Sequence, residues 1–193
     1  MTENQNNGDI IMIIDESGSM EIMGEEAVQS ASLFLMEQKE IGVKDTNVSV
    51  WKFNNKVTKI INECPLSEKD EFSFSYNPGG STAMYDAIGQ AITEKLDSDR
   101  SEGNICLILT DGLDNSSRKF KLQDVKNLIK DSEENHSWKF VFVGANIDSW
   151  SIGGNMGVGR CINFKATPEG ISDVFRQTSD SIGRYRSGDA DDI

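Results

Sequence analysis

Two short runs constrain the fold of this chain more than anything else in it. Residues 9–15, DIIMIID, and 104–111, NICLILTD, are apolar stretches that each end on an aspartate, followed by small residues. A strand that is apolar on both faces must be covered on both faces, the mark of a parallel sheet packed between helices. A third run of the same kind, WKFVFVG, occupies 138–144. Between the runs the spacing changes to that of helices. Ala27, Val28, Ala31, Phe34 and Leu35 share one face over 25–40, as do Met84, Ala87, Ile88, Ala91 and Ile92 after Thr82.

Further helices are predicted near 121–134 and from Pro168 to about Arg186, where proline suits a first turn. Residues 47–53 and 56–61 read as strands joined by a hairpin turn at Asn54-Asn55, and 160–164 as a short last strand. The stretch before it, IGGNMGV, reads as a glycine-rich turn. The expected architecture is therefore α/β: Rossmann-like and doubly wound, with a mostly parallel central sheet, one antiparallel edge strand and helices on both faces. One domain is expected over residues 9–187. A polar, flexible N-terminus (1–8) precedes it and an acidic, disordered tail (188–193) follows it.

Charge narrows the function. A net charge of −13 with scattered lysines and arginines repels phosphates, so neither nucleic acid nor an anionic membrane is an expected partner. No apolar run reaches the roughly 18 residues of a membrane span, and the N-terminus lacks a secretory pattern. Cys64, Cys106 and Cys161 are far apart, odd in number and without a CxxC, and His136 is the single histidine. A thiolate zinc site or a disulfide framework is not expected, and a reducing, cytoplasmic setting is.

The chemistry gathers at three loops. Asp15-Glu16-Ser17-Gly18-Ser19 follows the first buried strand, Thr110-Asp111-Gly112 ends the second, and Gly79-Gly80-Ser81-Thr82 opens a helix. In an open α/β sheet the loops beyond the carboxyl ends of the strands meet where the strand order reverses. Asp15, Ser17, Ser19, Thr82 and Asp111 then supply two carboxylates and three hydroxyls, all hard oxygen donors. That set suits Mg²⁺, or Mn²⁺ or Ca²⁺, rather than a soft metal. Hydroxyls coordinate without neutralising the ion, which leaves it electrophilic toward an incoming carboxylate. Taken singly, each of these residues can equally be a cap for a helix or turn.

DESGSM after an apolar strand, GGST before a helix and LTDG after another strand together resemble the von Willebrand factor type A family. The metal-ion-dependent adhesion site (MIDAS) of that family has the pattern Asp-x-Ser-x-Ser, a distant Thr and a distant Asp. All five positions are matched, by Asp15, Ser17, Ser19, Thr82 and Asp111. The resemblance spans about residues 8–186. It implies that the serines and the threonine contact a metal directly or change contact with state. The aspartates would bind directly or through water, and an Asp or Glu of a partner protein would complete the shell. It also implies that the last helix, here 168–186, can shift to couple ligation to conformation. VGANIDSWSIGGNMGV is similar to stand-alone bacterial, phage or viral members more than to the extracellular adhesive type.

The expected function is thus a metal-dependent protein–protein interaction module and not an enzyme. One alternative is a metal-dependent phosphohydrolase with Asp15 as nucleophile. It lacks a lysine in the three loops, and Glu16 is not spaced as the usual second acid. Another is a scaffold component of a stress-response system of the tellurite-resistance kind. Nucleotide binding is not expected, because IGGNMGVG is no GxGxxG and does not follow the first strand. Asp86 reads as a favourable charge in a helix's first turn rather than a ligand.

Overall fold

The computed structural model describes residues 8–41, 45–98, 100 and 102–193; apart from Gly8, the predicted flexible N-terminus lies outside the described residues. The order of elements is β1 (Ile10–Asp15), α1 (Glu26–Glu40), β2 (Asn47–Phe53), β3 (Val57–Pro65), α2 (Met84–Leu96), β4 (Ile105–Thr110), α3 (Leu122–His136), β5 (Lys139–Ala145), α4 (Ser149–Met156), β6 (Arg160–Phe164) and α5 (Pro168–Ser187). A short 3-10 helix, Gly18–Met23, fills the loop between β1 and α1.

One sheet of six strands runs β3-β2-β1-β4-β5-β6, and β3 alone is antiparallel to its neighbour. Every residue of β1 and β4 is buried, as their unbroken apolar sequences require. Alternate side chains feed two cores. Ile10, Met12 and Ile14 join Ala31, Phe34, Leu35, Val174 and Phe175 under α1 and α5. Ile11 and Ile13 join Met84, Ile88, Ile92, Val125 and Ile129 under α2 and α3. Trp51, Trp138 and Phe140 belong to this second core.

This winding sets the position of the site. From β1 the chain crosses through α1 to β2 on one side, while β4 pairs with β1 on the other. The order reverses between β1 and β4, so a crevice opens at their carboxyl ends, where Asp15 and Asp111 emerge.

Three local features differ from the sequence reading. β3 runs on to Pro65 rather than ending at 61, because register shifts against β2 carry the strand past Asn62 and Glu63. The glycine-rich stretch is the helix α4, with Asp148 capping the Ser151 N–H at 3.1 Å. Gly153 lets this helix lie against the sheet: a Cβ there would come within 2.5 Å of Cys161 Sγ. The segment 188–193 has no regular structure, yet Asp192 meets Lys139 at 2.7 Å and Ile193 packs against the first core.

Candidate metal centre

Asp15 is the last residue of β1 and is fully buried. Its Oδ1 accepts the Ser17 N–H at 2.7 Å, which turns the chain sharply out of the strand. Its Oδ2 accepts from Thr110 Oγ1 at 2.6 Å, so the ends of β1 and β4 are joined side chain to side chain. Ser17 is buried and Ser19 exposed, with their hydroxyls 3.3 Å apart. Ser19 Oγ in turn donates to Asp111 Oδ1 at 2.6 Å.

The third loop closes on these two. Gly79 N–H donates to the Glu16 carbonyl at 2.9 Å and Gly18 N–H to the Gly80 carbonyl at 3.2 Å. Gly80 takes φ +78° with Asn55 Oδ1 2.5 Å from where a Cβ would stand, so this turn favours glycine. Thr82 follows, buried, with its N–H on Asn115 Oδ1 at 2.9 Å and its carbonyl accepting the Asn115 and Ser116 N–H groups. Those contacts fix the backbone and leave the hydroxyl uncommitted among the described residues. Thr82 Oγ1 lies 3.5 Å from where a side chain would begin at Gly112, the residue after Asp111.

The five residues singled out in the sequence therefore converge on one small cluster from three loops. Burial pushes the Asp15 carboxyl up to about 6; hydrogen bonds from Thr110 and Ser17 oppose that, and the Asp111 charge adds to it. Burial also raises Asp111, with the Ser19 hydroxyl opposing. The two carboxylates and the Ser17 and Ser19 hydroxyls thus stand together, with the Thr82 hydroxyl beside Gly112, and burial disfavours both acids as bare anions, an imbalance that a hard divalent cation would relieve. Among the described residues no group of three or more His, Cys, Asp or Glu side chains forms a candidate site, so a metal here would rest on the hydroxyls as much as on the acids.

Two supporting residues, Thr110 and Tyr76, were not singled out in the sequence. Thr110 holds Asp15, and its place at the end of a buried strand beside Asp111 is the signal that could have found it. Tyr76 donates to the Asp15 carbonyl at 2.7 Å. Glu16 Oε1 accepts from Lys52 at 2.7 Å and from the Asn77 N–H at 2.6 Å, which turns this acid away from the cluster. Asp86 stands in the first turn of α2, as its position in the sequence indicates, and has a further role there. Its carboxylate accepts the N–H groups of Arg118, Lys119 and Phe120 at 2.8–2.9 Å and anchors the loop before α3. Burial disfavours its ionisation, but those three N–H groups hold its pKa below the ordinary value. His136 ends α3 and meets Glu102 at 3.0 Å, away from the loops.

Comparison with known proteins agrees with this architecture. No curated protein matches the chain. Among solved structures, it is similar to the vWF domain of the type V pili tip protein Mfa5 from Porphyromonas gingivalis. The TM-score is 0.70 at 10% identity, covering 94% of this chain and 97% of that one. The PilB minor pilin of Streptococcus sanguinis gives 0.69 at 13% identity, covering 96% of this chain and 63% of the pilin. Proximal thread matrix protein 1 from the mussel byssus, with a zinc-occupied MIDAS motif, gives 0.63 at 13%, covering 90% and 47%. The chain thus spans less than two thirds of the pilin and byssus proteins, and at such identities the likeness speaks to the fold. The family model of the von Willebrand factor type A domain matches residues 9–151. A match over that much of the sequence, on a sheet and helices of this order, means that the chain belongs to the von Willebrand factor type A domain family.

Proposed function

We propose that this domain is a cytoplasmic, metal-dependent protein-interaction module. In this reading a divalent cation, Mg²⁺ in the first place and Mn²⁺ or Ca²⁺ otherwise, is held by Asp15, Ser17, Ser19, Thr82 and Asp111 and binds a carboxylate of a partner protein. The observation that carries it is the linked set of oxygen donors at the switch point, in which Ser17, Ser19 and Asp111 follow one another at 3.3 and 2.6 Å. The zinc-occupied motif of the byssus protein supports a divalent ion at the corresponding place.

The rim suggests the partner's surroundings. Ile22, in the 3-10 helix after Ser19, is 63% exposed, and Leu113, two residues after Asp111, is 62% exposed. Apolar side chains beside a metal exclude water from a charged contact and strengthen it. The partner's acidic residue therefore stands among apolar neighbours. A non-catalytic role is supported by Asp15 itself: it is wholly buried, with one oxygen on Ser17 N–H and the other on Thr110. That is a poor disposition for a nucleophile that must meet phosphorus.

Isothermal titration of metal-stripped protein with Mg²⁺, Mn²⁺ and Ca²⁺, alongside Asp15→Ala, tests the reading. Saturable binding that the variant loses, and that excess acetate or glutamate tightens, is the expected result. If none of the three ions binds, with or without acetate, the reading is wrong.

A further inference from the structure

Away from the metal centre, α1 and the segment leading to Asn77 enclose an open groove of about 730 Å³. The core-facing side of α1 carries Ala27, Ala31, Phe34 and Leu35. A second row at helical spacing, including Leu33, Met36 and also Val28, which the sequence pattern grouped with the core face, lines the groove instead. Leu33 in this row is 55% exposed, one of the few large apolar side chains so placed among the described residues.

The opposite wall is an extended strap. Phe72 is buried, and Phe74 and Tyr76 pack against the first core, while Ser73 and Ser75 between them point to solvent. That alternation is the period of a β-strand, yet the strap belongs to no sheet. Lys39 Nζ donates to the Lys69 carbonyl at 2.7 Å and Lys52 Nζ to the Ser75 carbonyl at 2.8 Å. Between these two ties, among the described residues, no hydrogen bond reaches any backbone N–H or C=O from Asp70 to Phe74. A strand-like segment with an unpaired backbone is a template for another strand, and folded proteins usually pair, twist or cover such an edge.

Charge then selects the occupant. Glu25 and Glu71 line the groove and are exposed, and among the described residues no Lys, Arg or His lines it. We infer that the groove is a protein-interaction site separate from the metal centre. It takes an extended segment of a partner protein, apolar and cationic in alternation, which adds as a strand to residues 70–74. The backbone of the strap supplies hydrogen bonds, the apolar row on α1 takes alternate side chains, and the two glutamates take lysine or arginine. At the far end of the strap, Tyr76 and Asn77, which also line the groove, bond to Asp15 and Glu16, so the test must keep the two sites apart.

A random octapeptide phage library is panned on the full chain in the presence of a chelator. Enriched peptides are synthesised and measured by fluorescence polarisation against wild type, Leu33→Asp and Glu71→Lys. Both substitutions are at exposed positions, and matching thermal melts confirm folding. Enriched peptides should alternate apolar residues with Lys or Arg. Their affinity should fall about tenfold or more in either variant, and likewise when alternate peptide nitrogens are methylated. No enrichment, enrichment of acidic peptides, or equal binding to wild type and both variants would overturn the inference. Because the chelator is present throughout, failure of the metal reading leaves this result unchanged.

Discussion

Thr110 Oγ1 donates to Asp15 Oδ2 at 2.6 Å, a buried bond that joins the last residue of β4 to the last residue of β1. It spans the point where the sheet reverses its order, and so sets the relation between the two acids of the candidate centre. Thr110→Val keeps the shape and removes the donor. We expect a loss of about 1.5–3 kcal/mol in urea denaturation, the range for a hydrogen bond to a charged group. Metal affinity should fall about 10- to 100-fold as Asp15 loses its orientation. Unchanged stability together with unchanged affinity would contradict the structural role given to this bond.

Thr82 differs from the other donors because its backbone is held by Asn115 while its hydroxyl is uncommitted among the described residues. Thr82→Ala should therefore leave the fold intact and weaken carboxylate capture more than metal binding. Titration of metal, followed by acetate on the metal-loaded protein, separates the two. Equal losses in both steps would argue against a distinct role for the threonine.

The pair Lys52–Glu16 lies 2.7 Å apart with side chains only 12% and 9% exposed. Lys52 also holds the Ser75 carbonyl, so it links β2, the first metal loop and the strap. Lys52→Met leaves the glutamate without its cation and should cost about 2–3 kcal/mol, somewhat under the figure for a fully buried pair. In a double-mutant cycle with Glu16→Gln, the combined cost should be smaller than the sum. Simple additivity would show that the two side chains act independently.

Acid sensitivity has a definite source at the other end of the sheet. Asp9 accepts from Lys95 at 2.7 Å, from Arg100 at 2.7 Å and from the Asn47 N–H at 2.8 Å. Burial alone would raise its pKa, but these partners together hold it below the ordinary value of 3.8. A depressed folded pKa stabilises the protein above 3.8, and that contribution is lost as pH falls through the folded value. Arg100→Gln removes one of the lowering partners, so the midpoint of acid unfolding should move to higher pH. A midpoint that stays in place would show that Asp9 does not govern it.

Much of this was legible in the sequence because it follows from local pattern. β1, β4 and β5 are apolar except at one terminal residue each, and a chain buries such segments best as inner strands covered on both faces. Asp15, Ser17, Ser19, Thr82 and Asp111 could be proposed together because their loops follow such strands or open a helix, and loops so placed meet at one edge of the sheet. The hairpin at Asn54-Asn55 foretold the antiparallel edge, while the length of β3 depended on a register shift against β2 that no local rule encodes.

Other features were decided only by the tertiary structure, because they depend on contacts between distant residues. Four glycine and serine positions hide α4, which is held by the close approach of Gly153 to Cys161 and Phe142 rather than by helix propensity. Asp86 is the first-turn charge of α2 that the sequence indicates, but its second role, anchoring residues 118–120, is visible only in the folded chain. Glu16 stands in the middle of the metal motif, yet Lys52, 36 positions away, draws it aside. Hydrophobic periodicity and chain connectivity sufficed to tell which strands are inner and which oxygen-donor residues stand at their ends. Which acids stay in the cluster, and which backbone remains unpaired beside α1, was settled by long-range packing, because only the folded chain brings the competing partners within hydrogen-bonding distance.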